Sequence, residues 1–188
     1  QSMHTLDALR SGALAGARHV RLSAGLTEFP RELFALADTL EVLDLAGNAL
    51  TTLPDDLPRL AKLRVLFCSG NPFEVLPAVL GACPSLTMIG FKSCRLHTVP
   101  AEALPPTLRW LILTDNRIAT LPDTIGRCTG LRKLALAGNR LTALPETMAH
   151  CTALELVRLS ANRLAALPQW LLDLPRLSWL AYAGNPCS

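Results

Sequence analysis

The chain of 188 residues is poor in several things, and each shortage removes a class of function. No apolar run approaches the roughly 20 residues needed to span a bilayer. Charge is nearly balanced, at +3 overall, without the strongly basic face of a nucleic-acid binder. Aromatic residues make up only 5% and include a single tyrosine. Phosphate-binding loops of the forms GxGxxG and GxxxxGK[ST] are missing, as are GxSxG and HExxH. His4, His19, His97 and His150 fall at unrelated positions, and no two carboxylates share a strand face. These residues therefore offer no catalytic site, no cofactor site and no metal site. Nothing ahead of Ala17 reads as a secretion signal. Gln1 and Ser2, preceding Met3, read as a tag remnant.

Leucine, in contrast, is abundant and periodic. From Leu40 the chain reads LEVLDLAGNALTTLP, and related stretches start at Leu63, Leu86, Leu108, Leu131 and Leu154. A degenerate copy starts at Ala17, and a copy cut short after its asparagine starts at Leu177. The starts at 17, 40, 63, 86, 108, 131, 154 and 177 are 23 residues apart except for one step of 22. This is the leucine-rich repeat pattern LxxLxLxxNxLxxLP. It predicts an α/β solenoid with a parallel concave sheet and short helices or extended segments on the convex side. The domain reading is a capping helix over 3–16, with Leu6, Leu9 and Leu14 as its apolar stripe, followed by eight repeats over 17–188. A monomer is expected.

Within LxxLxL the inward leucines alternate, as in a strand. The asparagine, at Asn48, Asn71, Asn116, Asn139, Asn162 and Asn185, should bond to backbone groups buried in the turn that follows. Cys94 interrupts this ladder. Return segments begin at Leu-Pro and carry apolar residues three and six places on, such as Ile125 and Cys128, which predicts a helical turn or two with proline at the first position. The segment AEALPPT, one residue short and carrying Pro105 and Pro106, is expected to be extended.

Six cysteines invite a disulfide reading, but their repeat positions oppose it. Cys68 replaces a core leucine of the strand. Cys83, Cys128 and Cys151 share a convex core position with Leu60 and Leu174, and Cys187 takes the place of Leu50 or Leu141. Buried thiols explain all six, which fits a reducing, cytoplasmic protein. A bridge between Cys128 and Cys151, or a metal near His150, is the lesser reading.

Function, on this pattern, sits on the concave face. Flanking the central leucine of each strand are Val42, Val65, Met88, Trp110, Leu156 and Trp179 on one side, and Phe67 and Ile112 on the other. An apolar column at solvent-facing positions marks a protein-binding surface. The alternative is that strand positions simply favour such side chains. A second column, Arg95, Arg117, Arg140 and Arg163, lies on one rim, with Lys92, Arg109, Arg132, Lys133 and Arg158 adding charge nearby. It would suit an acidic or phosphorylated partner, although a merely solvated position is the preferred reading there.

The stretches LRVLFCS, MIGFKS, LPPTLRWLILTDNRI, LALAGNRL and LSWLAYAGNP resemble the N-terminal repeat region of bacterial leucine-rich-repeat serine/threonine protein kinases. The resemblance spans Met3 to Ser188. It implies that a kinase domain follows the repeats, and that the repeats bind a protein ligand or restrain that domain. An expected continuation of the chain past the bare last repeat fits this. None of the kinase motifs lies in these residues, so the resemblance carries over no catalytic residue. The alternatives are the repeat domain of a secreted bacterial effector of the ubiquitin-ligase type, and a free-standing scaffold. Neither a nucleic acid nor a membrane is expected as partner.

Overall fold

The computed structural model describes residues 3–188; the tag-remnant reading of the first two residues lies outside them. Eight short strands form one parallel sheet in chain order: β1 (His19–Arg21), β2 (Val42–Asp44), β3 (Val65–Phe67), β4 (Met88–Gly90), β5 (Trp110–Ile112), β6 (Lys133–Ala135), β7 (Leu156–Arg158) and β8 (Trp179–Ala181). Equivalent positions stack: Met88 pairs with Trp110, Trp110 with Lys133 and Lys133 with Leu156. Register survives the 22-residue step, because Ile89 still meets Leu111. The missing residue is absorbed in the return segment. The central strand residues Leu43, Leu66, Ile89, Leu111 and Leu134 are fully buried.

Return segments pack behind this sheet. They are single 3₁₀ turns over Arg31–Leu36, Leu57–Arg59, Ala78–Ala82, Ala101–Ala103, Asp123–Arg127 and Glu146–His150, with a four-residue α-helix at Gln169–Leu172. The i,i+3 apolar spacing suits the 3₁₀ period of three as well as an α-helical turn. Proline stands one place earlier than expected, as the cap residue, in every return segment but Leu57–Arg59, which Asp56 caps. The Pro122 carbonyl accepts from Ile125 N–H at 3.1 Å, and Pro145 accepts likewise from Met148. The expectation of extended chain through AEALPPT is corrected. One turn, Ala101–Ala103, closes ahead of the two prolines with Ala103 N–H on Pro100 O at 3.1 Å; Leu104 is extended, and a second turn follows, with Leu108 N–H on Pro105 O at 3.1 Å. Proline forbids helix to the residue before it, which here is Leu104, so the shorter turn escapes.

Neighbouring turns approach closely where glycine allows it. A Cβ on Gly126 would lie 2.6 Å from the Thr147 carbonyl oxygen, and one on Gly81 would overlap that of Glu102.

The six asparagines are buried, and each ties two repeats together. Asn139 donates to Leu136 O at 3.0 Å in its own repeat and to Leu113 O at 2.9 Å in the one before, while its Oδ1 accepts from Ile118 N–H at 3.0 Å. Asn116 does the same with Leu113, Phe91 and Leu96. The first copy, which has no asparagine, is held by Asn48, whose Oδ1 accepts from both Ala24 and Leu26. At Cys94 the ladder breaks. Its thiol donates to Cys68 O at 3.4 Å, and Phe73 N–H turns to its own Asn71 carbonyl at 2.9 Å.

At the N-terminal end, helix α1 spans Leu6–Arg10, capped by Thr5 Oγ1 accepting from Ala8 N–H at 3.0 Å. Leu9 is buried, and Leu6 and Leu14 pack beside it. His4 extends the cap along β1, donating its N–H to Arg21 O and accepting Arg21 N–H on Nδ1.

All six cysteines are unpaired thiols. Cys128 and Cys151 do not bridge; each donates to a backbone carbonyl, of Pro105 and Ile125 respectively. Burial pushes the Cys83 and Cys128 thiols up to about 11 and Cys151 to about 12. Burial also raises the Cys68 thiol well above its ordinary range. Cys94 and Cys187, expected in the core, are only half-buried. A thiol reagent at neutral pH is therefore expected to modify two residues in the folded protein, Cys94 and Cys187, and six in denaturant. Reaction of Cys128 or Cys151 before unfolding, or fewer than six in denaturant, would contradict this arrangement.

Candidate functional site on the concave sheet

Side chains on either side of each central strand residue face the concavity, and the structure grades them. Val65 is 9% exposed and counts as buried, which corrects its reading as a solvent-facing contact. It lies between Val42 and Met88 in the stacked column, and its neighbours cover so short a side chain. Val42, Met88, Trp110, Ile112, Leu156 and Phe67 are half-buried. Trp179 is 58% exposed. Phe67 leans sideways over Gly90, where a Cβ would stand 2.7 Å from the ring. The glycine thus determines where that aromatic lies.

Trp110 is the centre of the patch. The Lys133 ammonium, its stacked neighbour on β6, sits 4.5 Å from the ring centroid. This contact favours a charge over an aromatic face, and it holds Lys133 across the sheet. A depression of about 400 Å³ opens on one side, floored by Trp110, Ile112 and Leu156 and edged by Lys92, Lys133 and Arg158. A smaller one of about 230 Å³ lies on the other side of the Trp110–Lys133 pair, between Met88, Arg109 and Arg132. Sequence reasoning had placed these cations beside the rim arginines. The structure gathers them around the tryptophan. The signal was present in the register, since Lys133 follows Trp110 in the same column, but ring stacking is not written in it.

Charges in the N-terminal repeats are largely neutralised. Arg64 binds Glu41 at 3.0 Å and Arg21 lies 3.7 Å from Asp44 on the concave side. On the convex side, Arg31 grips Asp56 at 2.6 Å and holds its carboxyl down to about 2. Near Trp110 the one comparable pair is Arg132–Glu155, in which the guanidinium keeps the Glu155 carboxyl below its ordinary range.

The rim column forms as expected in its backbone. The N–H groups of Arg95, Arg117, Arg140 and Arg163 donate to Phe73, Leu96, Ile118 and Leu141 of the preceding repeat. All four side chains are exposed. None of them lines either depression beside Trp110, so the two candidate surfaces are distinct. Among the described residues no three His, Cys, Asp or Glu side chains cluster as metal ligands, and no helix is long and apolar enough to cross a membrane.

An open parallel sheet with one strand per repeat, an asparagine ladder and short turns behind defines a leucine-rich repeat solenoid. The chain belongs to the leucine-rich repeat family: its models match residues 39–60, 106–164 and 129–186, more than half of the sequence. It is 31% identical to Toll-like receptor 9 of Sus scrofa over 162 residues, 70% of this chain and 16% of the receptor. It is 32% identical to the human leucine-rich repeat and calponin homology domain-containing protein 1 over 54% of this chain and 14% of that protein. The chain thus spans less than a fifth of the length of these curated relatives. A leucine-rich repeat protein of Leptospira interrogans superposes with a TM-score of 0.57 at 23% identity, covering 98% of this chain and 65% of that one. This last likeness shows the fold alone. The chain is a repeat module of the kind that binds protein partners along its concave surface.

Proposed function

We propose that these repeats are the recognition and regulatory part of a bacterial serine/threonine protein kinase, acting in the reducing cytoplasm through the concave face. The observation that carries the reading of the face is the apolar column centred on Trp110 and ending at the exposed Trp179. A tryptophan in a solvent-facing strand position gives the molecule no core stability, and such residues dominate interface energetics. The kinase assignment rests on the resemblance of the repeats themselves, and the cytoplasmic one is supported by six unpaired thiols. Trp110 would anchor a protein ligand, with Met88 next to it in the column, Val42 and Leu156 farther along, and Phe67 and Ile112 in the parallel column. Trp179 would meet either that ligand or the protein's own kinase domain.

The test uses the full-length protein. A Gly-rich loop and an HRD motif encoded after Ser188 are expected; a cysteine-based ligase domain or an immediate stop would sink the kinase assignment. Trp110→Ala is expected to leave the melting temperature within a few degrees. It should weaken the hold of the repeats on ligand or kinase domain by about 2 kcal/mol, read as a change in kinase activity or in partner affinity. The convex control is Leu172→Ala, since Leu172 is 53% exposed. Trp170 is less suitable, because it packs against the core with its indole N–H buried and unbonded. Equal effects of the concave and convex substitutions would remove the recognition reading.

A further inference from the structure

The recognition face has a sign. Neither depression beside Trp110 contains a carboxylate in its lining. The larger one carries Lys92, Lys133 and Arg158 around an apolar floor. None of these three is in an ion pair among the described residues, unlike Arg21 and Arg64 in the earlier strands. Of the acids in the same repeats, Glu102, Asp123 and Glu146 lie in the convex turns, and Asp115, just past Thr114 of the lining, stays outside the depression. Glu155 is already bound to Arg132. The sheet around β5–β7 is therefore a hydrophobic trough with cations outside any close ion pair on its margins, Lys133 alone lying in the field of the Glu155 carboxylate among these three.

We infer that this trough binds an extended acidic segment of a protein, laid across β4 to β7. A leucine-like or aromatic side chain would rest on Trp110, Ile112 and Leu156, and flanking carboxylates would meet Lys92, Lys133 and Arg158. The inference deepens the proposed recognition role and rests on it. Three strand spacings separate the first and last of these strands, roughly 14 Å, which an extended peptide crosses in about four residues. Alternation of side chains along such a peptide lets one set face the apolar floor while the other reaches the cations at its edge. Lys133 contributes twice. Its ammonium covers the Trp110 face in the free protein and can swing to a carboxylate when an apolar side chain takes its place on the ring. A nucleic acid fits less well, because the floor offers a single ring, Trp110, already covered by Lys133, and no second aromatic for a successive base.

The experiment uses fluorescein-labelled peptides in which Leu or Phe is flanked by Glu, a matching set with Gln for Glu, and a single-stranded oligonucleotide, all titrated into the protein at low salt. The Glu set is expected to bind and the Gln set to bind more weakly by about tenfold or more, with affinity falling as salt rises. Lys133→Glu and the pair Lys92→Glu with Arg158→Glu, each checked for an unchanged melting curve, should each abolish the preference for Glu. Equal binding of the Glu and Gln sets would overturn the acidic specificity and leave Trp110-dependent recognition standing. Glu-selective binding that survives Trp110→Ala would instead discard the tryptophan-centred reading. Absence of binding by every Glu peptide, or tighter binding of the oligonucleotide through the same three cations, would overturn the inference.

Discussion

Asn139→Ala is expected to destabilise the chain by about 3 kcal/mol in urea unfolding. The side chain satisfies the Leu136 and Leu113 carbonyls and the Ile118 N–H; alanine leaves the carbonyls to the asparagines of the neighbouring repeats, Asn162 and Asn116, but strands the buried Ile118 N–H. One such group costs roughly 1–3 kcal/mol when stranded. The two carbonyls each lose one of two donors besides, which places the expected cost at the upper end of that range. The molecule contains the reverse case. At Cys94 a thiol stands where the ladder wants an amide, and Phe73 N–H has been driven back to a carbonyl two residues away. Cys94→Asn is expected to restore both bonds to the repeat before it and to raise stability by about 1 kcal/mol. A change below about 0.5 kcal/mol for Asn139→Ala, the range of ordinary surface substitutions, would mean that water reaches the ladder.

Gly81→Val comes next in size. Any Cβ at this position overlaps the Glu102 carbonyl oxygen of the next repeat. The obstacle is backbone in a short turn, which no side-chain rotation relieves. The turns Ala78–Ala82 and Ala101–Ala103 must separate, at a cost of about 3 kcal/mol by the measure of overpacked cores. Gly130→Val provides the contrast, because a Cβ there meets nothing within 4 Å. If the two substitutions shift the urea midpoint equally, the close approach of the turns is not what glycine serves at residue 81.

Much of this architecture was readable because each repeat states it again. A strand of three residues is too short to recognise alone, but eight in register leave no doubt about which leucines point inward. The ladder was legible for the same reason, down to its break at Cys94. What was not legible depends on contacts between repeats. The LxxL spacing after proline is the same for a 3₁₀ turn and for an α-turn, so it could not separate them. Exposure on the concave side depends on the neighbour in the next strand: Val65 disappears between Val42 and Met88, whereas Trp179 at the end of the column stays open. The placement of Phe67 follows from a missing side chain at Gly90, and that of Lys133 from the ring beside it. Both are cross-strand effects that a repeat consensus averages away. The prolines of AEALPPT were correctly read as stopping a helix; the turn simply ended before them.

The interruption at Cys94 also bears on how the molecule comes apart. In a solenoid each unit is held by its immediate neighbours, and stability is a chain of nearest-neighbour couplings. Asn48 and Asn71 join the first three units, and Asn116 onward join the fourth to the last. Between the third and fourth units the amide link is replaced by one weak sulfur contact. Phe73 and Phe91, 5.0 Å apart edge to face, straddle that joint and supply apolar cohesion where polar cohesion fails. The joint is still closed by the pairing of β3 with β4, by Leu76 N–H on Thr98 O at 3.0 Å and by the close turns at Gly81 and Glu102, so what Cys94 removes is the polar fastening of one rim and not the seam itself.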